Sequence, residues 1–155
     1  MKKKIKLYDS TLRDGAQTKG VNFSLNDKLK IISLLDEIGI DYIEGGWPGA
    51  NPTDNVFFQK LPKLSNSKAV AFGMMRKFGK SSKNDPGLNA VLNSGVSTVC
   101  LVGKSWDFHV KNALKIPLNK NLDMISDTIV FATKRVDEVL FDAEHFFDGY
   151  KNNKE

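Results

Sequence analysis

The sequence predicts an α/β fold made of repeated βα units around a parallel sheet. Three observations predict it. Short apolar or β-branched runs recur at Ile5–Asp9, Tyr42–Gly46, Lys68–Phe72, Thr98–Val102 and Glu138–Asp142. A helical pattern fills each gap between them, with its own start and stop signals. Strands separated by helices pair in parallel through right-handed crossovers. Two architectures satisfy this pattern in 155 residues. One is a complete doubly wound open sheet. The other is the first five strands of a (β/α)₈ barrel, whose full length is about 250 residues. Periodicity does not choose between them.

The elements follow in order. Ile5–Asp9 alternates in character and leads into a polar loop. Ser24-Leu25-Asn26-Asp27 resembles a capping box with Asp at the third helical position. Leu25, Leu29, Ile32, Leu35 and Ile38 then fall on one helical face, and Gly39 supplies the stop. Tyr42–Gly46 is the second strand, ended by Trp47-Pro48-Gly49, and Pro52–Gln59 forms the next helix. Lys68–Phe72 ends at Gly73. Asp85-Pro86 is an N-cap followed by proline at the first helical position, opening a helix that runs to about Asn93 before Gly95. Thr98–Val102 ends at Gly103. A short helix covers Trp106–Ala113. A longer one starts at about Leu118, with Leu118, Leu122, Ile125, Ile129 and Ala132 on one face. Glu138–Asp142 is the fifth strand, and Tyr150 to Glu155 read as a frayed polar end.

Composition narrows the function classes. With 41% hydrophobic and 26% charged residues, the chain can build a core and does not read as disordered. No run of about 18 apolar residues exists, so no membrane span is expected. The basic start at Lys2 to Lys4 lacks the apolar region of a signal peptide. The single Cys100 excludes an internal disulfide and reads as a buried thiol, which fits a reducing cytoplasm. The net charge of +5 suits an anionic substrate, but the lysines are dispersed and no nucleic-acid motif is present.

Both architectures place chemistry at the carboxyl ends of the strands. Five segments meet there: Asp9 to Gln17, Glu44-Gly45-Gly46, Phe72-Gly73, Val102-Gly103-Lys104 and Asp142 to His145. Carboxylates beside an arginine are what a hard divalent metal and a developing oxyanion need. Asp14 is a candidate metal ligand. Arg13 is a candidate for holding a carboxylate through its forked donors. An Arg-Asp pair in a loop is also a common surface ion pair. Glu44 and Glu144 end apolar strands, where an unpaired carboxylate is costly. His109 and His145 read as packing or hydrogen-bonding residues, since no His-x-His or His-x-x-x-His pair occurs.

The segments DSTLRDGAQ and FSLNDKLKIISLLDEIGIDYIEGGWPGANP resemble the opening of the DRE-TIM metallolyase superfamily. Within it, VAFG, VGKSWDFHV and FDAEHFFDGYK are most similar to the isopropylmalate, homocitrate and citramalate synthase family, nearest its citramalate branch. The resemblance runs from about Lys6 to Lys151. It implies the incomplete (β/α)₈ barrel, with residues 1–155 as the amino-terminal portion of a pyruvate-carboxyltransferase-type domain. It implies a Claisen-type acyltransferase joining acetyl-CoA to pyruvate, within branched-chain amino-acid biosynthesis. Isopropylmalate or homocitrate synthesis, a lyase reaction and a non-catalytic flavodoxin-like domain are the alternatives. It carries a divalent-metal ligand onto Asp14 (Mg²⁺, Mn²⁺ or Zn²⁺). It carries catalytic roles onto Arg13, Glu44 and Glu144, and substrate contacts onto Arg13 and Gln17. The family's remaining ligands, a His-x-His pair and an asparagine, have no counterpart in this sequence, so the chain alone is expected to be inactive. A homodimer is expected of the full-length form. Met74 and Met75 stand where the family has small polar residues.

Overall fold

The computed structural model describes residues 5–154. The lysines at positions 2 to 4 and Glu155 lie outside the described residues. Five strands form one sheet in the order β1-β2-β3-β4-β5: β1 (Tyr8–Asp9), β2 (Tyr42–Gly46), β3 (Lys68–Met74), β4 (Thr98–Lys104) and β5 (Glu138–Glu144). Every neighbouring pair is parallel. This order decides between the two architectures. A doubly wound sheet reverses direction at a switch point. Here the winding never reverses, so right-handed crossovers send every helix to the same face. The result is a curled half-barrel. The open-sheet alternative is excluded.

The helices between the strands are α1 (Leu25–Ile38), α2 (Pro52–Gln59), α3 (Pro86–Leu92), α4 (Asp107–His109) and α5 (Leu118–Ala132), and α6 (Phe146–Asn152) follows β5. The expected capping box closes on α1: Ser24 accepts from the Asp27 amide, and Asp27 Oδ2 accepts from the Ser24 amide at 2.9 Å. Gly39 ends that helix in the left-handed region at φ 86°. Asp85 caps α3 by accepting from the Leu88 amide at 2.9 Å.

Alternation along the strands sorts two cores. Ile43, Ala69, Ala71, Val99 and Leu101 face outward and pack beneath the helices with Ile32, Phe57, Leu88, Val91 and Ala132. Tyr42, Val70, Phe72 and Cys100 face inward, where the barrel interior belongs. Cys100 is buried and free, as expected. Burial pushes its thiol up to about 11.

Several boundaries and faces differ from expectation. β1 holds only Tyr8–Asp9, not Ile5–Asp9, because Ile5 and Leu7 are exposed and the chain joins the ladder at Tyr8. β3, β4 and β5 each run two residues further, carrying Gly73 and Gly103 inside strands. The short helix is α4 continued by a π-helical turn, Val110–Leu114. The end is not frayed at Tyr150, since α6 reaches Asn152. On α1, Ile38 is exposed whereas Lys28 and Asp36 are buried. On α5, Leu122 is exposed whereas Asn121, Met124 and Thr128 are buried. In both helices a polar residue with a built-in partner takes the inward place of an apolar one.

Candidate active site

The loop after β1 is folded by its own backbone. The amides of Arg13, Asp14 and Gly15 all donate to the Ser10 carbonyl, at 3.1, 2.8 and 3.2 Å. Asp9 receives the Thr11 amide and hydroxyl, both at 3.0 Å. This tight turn aims Arg13 back over the sheet. Its guanidinium lies 3.8 Å above the centre of the Phe72 ring. Such a stack is worth roughly 0.5–2 kcal/mol.

Arg13 connects two of the expected carboxylates. Its Nε donates to Glu44 Oε2 at 2.7 Å, and its Nη1 donates to Asp14 Oδ1 at 3.2 Å. Glu44 is 1% exposed and also accepts from the Tyr8 hydroxyl at 2.8 Å. Burial pushes the Glu44 carboxyl up, and Arg13 and Tyr8 pull it only part of the way back. Burial, with the Glu44 charge beside it, raises Tyr8 far above the ordinary phenol, so its proton stays available for donation. The Asp14 side chain, by contrast, is 62% exposed. Only its Oδ1 meets Arg13. Gln17, on the short 3₁₀ turn Gly15–Gln17, lines a cavity with Arg13, Asn51 and Thr53.

Glu144 does not join this group. It ends β5 beside Lys104 of β4 and forms an ion pair through Oε2 with the Lys104 ammonium. His109 and His145 crowd the same corner, their rings 4.6 Å apart and both packed on Trp106.

The sequence reading missed a buried pair beneath the site. Lys28 of α1 and Asp54 of α2 form an ion pair, with side chains 5% and 7% exposed. Asp54 also accepts the Trp47 amide and Asn51 Nδ2, both at 2.8 Å. These bonds fix the turn that follows Glu44. Gly46 permits them, because a Cβ there would sit 2.5–2.7 Å from the Asp54 carboxylate. Asn51 immediately before Pro52 was the available signal, since Asn, Pro and then Asp is a helix start. Tyr8 and Phe72 were also missed as partners of Arg13. Counting by twos along their strands places both on the inner face.

Residues 4–153 match the HMGL-like family. The chain is 52% identical over 157 residues to an (R)-citramalate synthase of Aquifex aeolicus, covering all of this chain and 30% of that protein. It is 32% identical over 145 residues to 2-isopropylmalate synthase 1 of Caldanaerobacter subterraneus subsp. tengcongensis, covering 92% of this chain and 35% of that protein. A hydroxymethylglutaryl-CoA lyase from Pseudomonas aeruginosa superposes with a TM-score of 0.67 at 19% identity, covering 89% of this chain and 45% of the other. The chain thus spans about a third of the curated relatives' length.

Proposed function

The chain belongs to the HMGL-like family, within the DRE-TIM superfamily, and on that premise we propose that it supplies the first half of a Claisen-type acyltransferase site. The substrates are acetyl-CoA and pyruvate, and the product is (R)-citramalate. One observation carries the reading: Arg13 is stacked, partly buried and bonded to both Glu44 and Asp14 at the carboxyl ends of β1 and β2. The identity to a citramalate synthase over this whole segment, well above that to an isopropylmalate synthase, supports pyruvate over a branched 2-oxo acid.

Asp14 would hold the divalent metal, with Gln17 near the metal-bound substrate. The donor chemistry fits, since Asp14 offers a carboxylate on a side chain that is 62% exposed, as a hard cation requires. The metal supplies Lewis-acid polarisation of the 2-oxo group. Arg13 holds the substrate's carboxylate or oxo oxygen with the donors that Glu44 leaves free, and offsets charge growing on that oxygen. Glu44 positions Arg13 through Nε. Tyr8 keeps its own proton and donates it to Glu44, which opposes part of the effect of burial on that carboxyl. Glu144, paired with Lys104, serves as an acid/base participant or as the holder of the essential water. With one carboxylate ligand, the chain by itself cannot compete with water for the ion, and no turnover is expected of it alone.

The test is to graft this chain in place of the matching segment of the Aquifex aeolicus synthase and measure thiol release from acetyl-CoA. Pyruvate-dependent release, lost on Arg13→Ala, is expected. Faster release with 2-oxoisovalerate would reassign the segment to isopropylmalate synthesis. Release undiminished by Arg13→Ala would overturn the site.

A further inference from the structure

We propose that His109, Glu144 and His145 form a site for a borderline-soft divalent cation, Zn²⁺ above all, distinct from the hard-metal role given to Asp14. One ring nitrogen from each histidine and a Glu144 carboxylate oxygen all lie within 4.8 Å of one another. Tetrahedral zinc with bonds of about 2.0–2.2 Å needs donors roughly 3.3–3.5 Å apart.

Three further features point to a cation. His145 Nδ1 is bonded to Asp148 Oδ2 at 2.9 Å. A metal-binding histidine characteristically gives its other ring nitrogen to a carboxylate, which fixes the ring and leaves Nε2 for the metal. His109 Nδ1 is buried and has no hydrogen-bond partner. Buried polar atoms without partners are rare, and an absent ion is one reason for them. Glu144 gives only Oε2 to Lys104, so Oε1 remains for a ligand bond.

The scaffold holds the two histidines in place. His145 adopts the left-handed conformation at φ 56° to start α6. That helix presses onto the chain before α4. A Cβ at Gly149 would lie 2.2 Å from the Ser105 carbonyl oxygen. Asn152 donates to Asp107 at 2.7 Å, tying the end of α6 to the start of α4. Trp106 closes one side against both imidazoles. Two imidazoles and one carboxylate, with an open fourth position, suit zinc and are poor ligands for Mg²⁺ or Ca²⁺. The nearby Lys104 ammonium weakens the site without blocking it. Occupation would place the cation on Glu144 Oε1, so this cation and the proposed acid/base role of Glu144 exclude each other.

Zinc titration of the chain in competition with a chromophoric chelator tests this inference, with a thermal melt at each step. We expect one Zn²⁺ per chain, a rise in melting temperature, and no displacement by excess Mg²⁺. His145→Ala, at an exposed position, and His109→Phe should each weaken Zn²⁺ by at least about tenfold, and Asp148→Asn by roughly 10–100-fold. Asp14→Asn should leave the affinity unchanged. Zinc affinity indifferent to His145→Ala, loss confined to Asp14→Asn, or absence of stoichiometric zinc would each overturn the site. The Asp14→Asn arm separates this outcome from any failure of the synthase reading.

Discussion

The two ends of the sheet interior handle charge in opposite ways. At the amino-terminal end, Lys6 and Lys68 approach Tyr42 and Glu138. Lys6 donates to the Tyr42 hydroxyl at 2.6 Å, that hydroxyl donates to Glu138 Oε1 at 2.8 Å, and Lys68 donates to Glu138 Oε2 at 2.8 Å. Lys68 is half exposed, so water shares the load. At the carboxyl-terminal end, Glu44 is sealed and depends on Arg13 and Tyr8. A solvated pair contributes little, whereas a buried charge raises a large cost when its partner leaves. The amino-terminal group therefore ties β2 and β3 to β5 across the interior. The carboxyl-terminal ring stores a constraint that fits a reacting site, as the barrel architecture leads one to expect.

The largest expected effect comes from the pair that supports the carboxyl-terminal end. Asp54→Ala removes the partner of buried Lys28 and strands the Trp47 amide. The loss should be about 3–5 kcal/mol in urea unfolding. Asp54→Ala combined with Lys28→Met removes both charges and should recover most of it. A loss below about 1 kcal/mol for the single change would mean that this end is as tolerant as the other.

The next effect sharpens the comparison through pH. Burial leaves the folded Glu44 carboxyl raised above its ordinary value of 4.5. The folded chain therefore holds that proton more tightly than the unfolded chain. This contribution to stability is fully present below the ordinary value and is lost as pH rises through the folded one. Gln resembles the protonated carboxyl at every pH. Urea midpoints should accordingly move in favour of Glu44→Gln, relative to the native chain, as pH rises from acid towards neutral. A difference that stays flat with pH would show that Arg13 fully offsets the burial.

The comparison also explains what was legible in the sequence. Strand positions and caps follow from local signals, because turn chemistry and period two act within a few residues, whereas the direction of winding is a property of the strand order. Glu44 stood out because a carboxylate ends an apolar strand. The helix faces misled for a physical reason. Lys28 and Asp36 are polar, yet Lys28 meets Asp54, and Asp36 accepts the backbone amides of Ser65, Asn66 and Ser67. Apolar periodicity cannot register a polar residue whose partner comes from another element. His109 and His145, read as packing or hydrogen-bonding residues, do pack on Trp106, and His145 bonds Asp148, but their meeting was not legible. They lie 36 positions apart, and only the packing of α6 on α4 brings their rings together. Met74 and Met75 split as strand alternation dictates, Met74 exposed and Met75 buried.

The smallest effect belongs to the amino-terminal ring, and it tests whether that ring is as forgiving as its exposure implies. Lys68→Met removes an ion pair whose two side chains are 52% and 28% exposed. Tyr42 still donates to Glu138, so the carboxylate is not left alone. The loss should stay under about 1 kcal/mol and should shrink as salt screens the pair. Its pH dependence runs opposite to that of Glu44. The bond to Lys68, above all, holds the Glu138 carboxyl below its ordinary value. That stabilisation is present above the ordinary glutamate value and is lost as pH falls through the lowered folded one. Lys68→Met should therefore matter most near neutral pH and least in acid, whereas Glu44→Gln gains on the native chain as pH rises. Matching pH trends for the two variants would erase the distinction between the ends of the sheet. Opposite trends would locate the strained carboxylate at the carboxyl-terminal end, next to the groups proposed to do chemistry.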